Sequence, residues 1–162
     1  MTNSINSTTI MPQNICAVDL DNLLVDEGGF AKIDIALFCA RVRAEAGSDC
    51  VIRVFCNGMK QSVEAVWRRY GAIVERTITN ADEKIAAFLT ARRDARRVII
   101  VSGDFCFASS ARFHRSLNHH VQVWSRRART SHELAFAADV VDFSVDQLLT
   151  APRPSLPATT FA

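Results

Sequence analysis

Near its middle the chain runs Arg97-Val98-Ile99-Ile100-Val101 and then turns at Ser102-Gly103-Asp104. Four consecutive β-branched residues bounded by turn formers read as a short strand buried on both faces. Strands of that kind belong to parallel sheets covered by helices, and the rest of the chain agrees. An apolar run over 15–18 ends at Asp19. The spacing of Phe30, Ile33, Leu37 and Ala40 predicts a helix over 30–46, with Gly47 after its end. Residues 51–56 read as a strand closed by Asn57-Gly58, residues 61–70 as a helix stopped by Gly71, and 72–74 as the start of another strand. Asn80 with Glu83 resembles a capping box for a helix over 80–95 that buries Ile85, Phe88 and Leu89. After the central strand come a helix over 105–117, a strand over 121–124 and a basic loop over 126–130. Ser131 is placed to cap a short helix through 137. An edge strand over 140–143 and a last helical turn over 145–149 complete the pattern.

Strands alternating with helices predict a three-layer α/β/α sandwich around a mainly parallel sheet of about five strands. A polar stretch over 1–13 reads as a flexible arm, 14–150 as one domain, and the proline-bearing stretch 151–162 as a disordered tail. At 162 residues, nearly half of them hydrophobic, a single domain with a real core is expected. The arm has neither the basic stretch nor the apolar block of a secretory leader, and no apolar run approaches membrane-spanning length. The five cysteines contain no CxxC pair, so buried reduced thiols are expected rather than a zinc site. Together these features point to a cytoplasmic protein without membrane partners.

Charge is unevenly spread. Residues 19–34 hold five acids and one base, whereas 92–129 hold nine arginines and two acids. An acidic pole beside an arginine-rich flank suits a metal site next to a polyanion, and a solvated arginine-rich surface is the plainer alternative.

Parallel sheets bind ligands at the carboxyl ends of their strands, which selects the acids worth weighing. Asp19 follows the first strand and Asp104 the central one. Asp21 and Asn22 extend the first loop. Asp82 lies in a first helical turn, toward the apolar face defined by Ile85 and Leu89. Each has a plainer role: Asp104 as an N-cap, Asp82 as a complement to the helix dipole, Asp19 as a loop acid, Asp139 as a structural group. Carboxylates gathered at an apolar edge repel one another unless a cation compensates them. Mg2+ and Mn2+ prefer oxygen ligands and can activate water toward phosphorus.

At these residues the chain resembles the NYN branch of the PIN-like nucleases. The resemblance rests on Ile15-Cys16-Ala17-Val18-Asp19-Leu20-Asp21-Asn22, on Thr79-Asn80-Ala81-Asp82, on Val98-Ile99-Ile100-Val101-Ser102-Gly103-Asp104-Phe105-Cys106-Phe107, and on Ser131 with Ala138-Asp139. It spans 15–149 and implies a metal-dependent ribonuclease using Mg2+ or Mn2+. Asp19, Asp82 and Asp104 would be catalytic and hold the metal or its waters. Asn22, Asp21 and Ser102 would support them. Cys106 stands where the family has a further acid, which leaves a weaker, a one-ion or an inactive site open; Asp139 or Asp21 could compensate. RNA is the implied partner, with Arg92, Arg93, Arg126, Arg127 and Arg129 expected on its phosphates, and a homodimer is compatible with such a domain. The first loop also resembles the Asp-x-Asp motif of the haloacid-dehalogenase phosphatases, with Asp19 as nucleophile and Asp21 as acid. That family's Thr or Val is replaced by Leu23 and its later acid by Ala108. A non-catalytic RNA-binding module that retains the fold is a third reading. The four histidines and Trp67 and Trp124 read as local hydrogen-bonding or packing groups.

Overall fold

The structure is a computed structural model that describes residues 14–26, 29–30 and 33–148. The arm over 1–13 and the tail over 151–162 lie outside the described residues. Six strands form one sheet: β1 (Asn14–Asp19), β4 (Cys50–Asn57), β5 (Ile73–Thr77), β6 (Arg97–Val101), β7 (His120–Trp124) and β8 (Val140–Asp142). Their order is β5-β4-β1-β6-β7-β8, and every neighbouring pair is parallel. The edge strand expected over 140–143 forms as β8, and the sheet has six strands where about five were expected.

Residues 97–101 occupy the interior because their side chains are apolar on both faces. Val98 and Ile100 join Ile15, Ala17, Val121 and Val123 on one side. Ile99 and Val101 join Cys16, Val18, Ile52 and Val54 on the other. This two-residue alternation divides the core into two layers. Helices α2 (Ile35–Ala46), α3 (Gln61–Arg69) and α7 (Val145–Leu148) cover the second face through Phe38, Val42, Trp67 and Val145. Helices α4 (Asp82–Ala91), α5 (Ala108–Ser116) and α6 (His132–Ala137) cover the first through Ile85, Leu89, Ala111 and Leu134. The result is an α/β/α three-layer sandwich. Among the described residues no helix is long and apolar enough to cross a membrane.

The region after β1 departs from expectation. A short helix α1 (Leu20–Leu24) leads into a small antiparallel hairpin, β2 (Val25–Asp26) and β3 (Gly29–Phe30). The helix expected from residue 30 starts at Ile35, because Asp34 accepts a hydrogen bond from the Leu37 amide at 3.0 Å and fixes the N-terminus there. The Asn80 capping box is also absent. Asn80 Oδ1 accepts from the Asp82 amide at 3.0 Å, and its Nδ2 donates to the Asp82 carboxylate.

His114 is fully buried between α4 and α5. Its Nε2 lies 2.9 Å from the Leu89 carbonyl and its Nδ1 2.9 Å from His119 Nδ1. The carbonyl requires a proton on Nε2, so neutral His114 accepts at Nδ1 and His119 donates. Burial first, then the neighbouring His119, lowers the His114 pKa below its usual value. The unfolded chain therefore binds the extra proton more readily, and this stability contribution is lost as pH falls below about 6.5. Urea midpoints should show wild type losing its advantage over His114→Gln between pH 7.5 and 5.5. A constant difference across that range contradicts the assignment.

Candidate metal centre

The chain leaves β1 toward β4 and β5 on one side, and later toward β6, β7 and β8 on the other. This reversal opens a crevice at the carboxyl ends of β1 and β6, where parallel sheets place their ligands. A cleft of about 530 Å³ occupies it, lined by Asp19, Asp21, Asn22, Asn57, Asp82, Asp104 and Arg129, with Thr79, Asn80 and Ala81. The carboxylates arrive from three separate segments: the end of β1, the start of α4 and the turn after β6.

Two hydrogen bonds join the first loop to the turn after β6. Ser102 Oγ donates to Asp19 Oδ2 at 3.0 Å and accepts from the Asp104 amide at 3.2 Å. Asn22 Oδ1 accepts from the Gly103 amide at 2.9 Å. Ser102 thus bridges the segments that carry Asp19 and Asp104, and Asn22 closes the same joint. Asp104 has two roles at once. It lines the cleft, and its Oδ1 accepts from the Cys106 amide at 3.1 Å, capping the 3-10 turn Phe105–Phe107 that precedes α5.

Asp19 is 5 % exposed. Its pKa is raised to about 6, chiefly by burial, against the hydrogen bonds from Asn22 N and Ser102, with the charges of Asp82 and Asp21 adding to the rise. Asp21 faces the cleft but is heavily engaged. Its Oδ2 accepts from the Asn57 amide at 2.7 Å and its Oδ1 from the Cys56 thiol at 3.0 Å, tying α1 to the end of β4.

Asp82, Asp104 and Cys106 each offer one ligand atom, and these atoms lie within 4.8 Å of one another. This group could hold a metal ion. The sulfur therefore sits among the carboxylates rather than turned away from them. Burial and the Asp104 and Asp82 charges push the Cys106 thiol well above its usual pKa.

Asp139 is not part of this cluster. It precedes β8, so it lies at the opposite, amino edge of the sheet. Its Oδ2 accepts from the Val121 amide at 2.8 Å, and its Oδ1 pairs with Arg115 Nε at 3.0 Å. Its place in the metal set is corrected accordingly: an acid before a strand and an acid after one sit on opposite edges. Arg92 and Arg93 lie away from the cleft for the same reason. They follow the far end of α4, about 15 Å along a ten-residue helix from Asp82. There Arg92 pairs with Asp94 at 3.5 Å and Arg93 stacks on Phe113. Arg126, Arg127 and Arg129 follow β7 at the carboxyl edge. Arg126 is buried, Arg127 lies over the Phe143 ring at 4.3 Å, and Arg129 lines the cleft. Sequence reasoning missed Asn57 and treated Cys106 only as a lost ligand. The rule that selected Asp19 and Asp104, applied to the carboxyl end of β4, points to Asn57.

No family model and no curated protein sequence matches the chain. Among solved structures, a protein of unknown function from Vibrio parahaemolyticus superposes with a TM-score of 0.62 at 18 % identity, covering 83 % of this chain and 94 % of that one. The shared fold is the α/β/α sandwich. A candidate HAD-family hydrolase from Streptomyces avermitilis reaches a TM-score of 0.47 at 15 % identity, over 86 % of this chain and 89 % of that one.

Proposed function

We propose that the chain is a metal-dependent ribonuclease, an NYN-type member of the PIN-like nucleases acting in the cytoplasm. The observation that carries the reading is the cleft itself, where Asp19, Asp82 and Asp104 converge from distant segments at the switch point of a parallel sheet. Asp82 and Asp104 would hold Mg2+ or Mn2+, with Asp19 at the cleft floor. The donor set fits a divalent cation: Asp82 and Asp104 bring carboxylate oxygens within 4.8 Å of each other at the cleft, and hard divalent ions prefer oxygen ligands. A bound ion would supply Lewis acidity toward a phosphate oxygen and a more acidic attacking water. Asp19, with its raised proton affinity, would be the residue that accepts the proton of an attacking water. Ser102 and Asn22 orient the two loops, and Arg129 supplies positive charge at the cleft edge for a phosphate. RNA rather than another phosphodiester is taken from the motif resemblance.

The phosphatase reading would make Asp21 the acid, a residue whose oxygens accept hydrogen bonds from the Cys56 thiol and the Asn57 amide of β4. The discriminating assay offers RNA and DNA with Mg2+ or Mn2+, using wild type and Asp19→Asn. RNA cleavage that requires the ion and disappears in Asp19→Asn supports the proposal. RNA binding without metal-dependent cleavage supports a binding module instead, and transfer of phosphate to Asp19 supports the phosphatase.

The arginine geometry gives a second test. Arg129→Glu should weaken RNA affinity and flatten the dependence of log K on log salt by about 0.7, the increment for one single-strand phosphate contact. Arg92→Glu with Arg93→Glu should leave that slope unchanged. Equal effects from both sets contradict the placement of RNA at the carboxyl edge.

A further inference from the structure

We infer that the Cys106 sulfur is a metal ligand, and that the centre therefore favours divalent ions with affinity for sulfur over Mg2+. The inference rests on the metal-dependent reading of the cleft and decides which ion that reading calls for. Three donor atoms, one from each of Asp82, Asp104 and Cys106, lie within 4.8 Å of one another. A four-coordinate ion with bonds near 2.0–2.3 Å holds its ligands roughly 3.3–3.8 Å apart, so contraction by about 1 Å closes the set. The backbone favours keeping this arrangement. The Cys106 amide donates to Asp104 Oδ1, so the segment that carries the sulfur is tied to one of the carboxylates. Cys106 is only partly buried, and the two carboxylates beside its sulfur line the cleft.

Two carboxylates and a sulfur form a mixed hard and soft set. Mg2+ gains little from sulfur and demands oxygen octahedra, whereas Zn2+ and Co2+ accept sulfur with oxygen, and Mn2+ lies between them. On coordination the sulfur–proton bond breaks, the proton passes to solvent, and the sulfur electron pair goes to the ion. The replacement of an acid by cysteine then changes which ion the centre selects instead of merely weakening it. The affinity order is Co2+ and Zn2+, then Mn2+, then Mg2+.

The test is a Co2+ titration of the full chain, read by near-ultraviolet absorption for sulfur-to-cobalt charge transfer and by calorimetry for affinity. Wild type should develop the band and Cys106→Ser should lack it. Co2+ affinity in Cys106→Ser should fall by at least the roughly tenfold that loss of even an outer partner costs a metal site. A second variant, Cys106→Asp, should lose the band while gaining Mg2+ affinity relative to wild type, so the result does not depend on a single variant's folding. Co2+ binding without the band in wild type overturns the sulfur assignment and leaves the metal-dependent reading standing. No heat with Co2+, Mn2+ or Mg2+ overturns both.

Discussion

Asp19→Asn is expected to remove metal-dependent cleavage while making the metal-free protein more stable. The two effects have opposite signs because one buried charge causes both. Its folded pKa, raised from 3.8 to about 6, lies above its unfolded value. The native state therefore binds the proton more tightly between those values, and stability from this group is fully present below about pH 4 and lost as pH rises through about 6. Above that pH the ionised group costs on the order of 2–3 kcal/mol, which asparagine does not carry. The substitution keeps the local geometry. The introduced side chain would accept from the Asn22 amide through its oxygen and donate to Ser102 Oγ through its amide group. In EDTA at pH 7.5 the melting temperature should rise by about 5 °C or more, at the usual 2–4 °C per kcal/mol for a chain of this size. The gain should vanish near pH 4. Cleavage should fall at least about a hundredfold, the scale on which one electrostatic group at a reaction centre acts. A destabilised Asp19→Asn protein at pH 7.5 contradicts this account of the burial.

Gly103→Ala is expected to damage both the fold and the centre. A Cβ at this position would meet Ser125 Oγ at 2.6 Å and the Arg129 carbonyl oxygen closer still. The obstruction includes backbone, which cannot swing aside as a flexible side chain can. The Gly103 carbonyl accepts from the Ser131 amide at 2.9 Å, and its amide donates to Asn22. Moving the turn thus disturbs the first loop, the arginine loop and the cap of α6 together. The cost should be about 3 kcal/mol or more, the upper end for forced overpacking. The melting temperature should fall on the order of 10 °C. Because Asp104 is the next residue, cleavage should fall even below the melting transition. Wild-type stability with wild-type activity in Gly103→Ala contradicts the tight approach of these loops.

The same loops mark what could be read from the chain alone. The strand at 97–101 is legible because four β-branched residues leave no polar face, and its turn is legible because Ser-Gly-Asp follows at once. Asp19 and Asp104 then follow from the rule about carboxyl edges. Asp82 lies 63 positions from Asp19, and only the crossover of α4 from β5 back to β6 brings it to the same cleft. Asn80 looked like a helix cap because the capping pattern depends on residue types, whereas its actual partner, Asp82, depends on the local backbone. The hairpin after α1 carries no alternation long enough to detect. A charge count over 92–129 groups Arg92 and Arg93 with the basic loop because it does not see that they precede β6 while the loop follows β7. Cys106 looked like a missing ligand since motif matching counts acids, while the fold places its sulfur among them.

Everything functional here depends on Asp19, Asp82 and Asp104 facing one divalent ion. The most direct measurement is anomalous scattering from crystals grown with Mn2+. The account predicts a manganese peak within bonding distance of the Asp82 and Asp104 carboxylates and next to Asp19. Fully occupied Mn2+ elsewhere on the molecule, with nothing in this cleft, contradicts it.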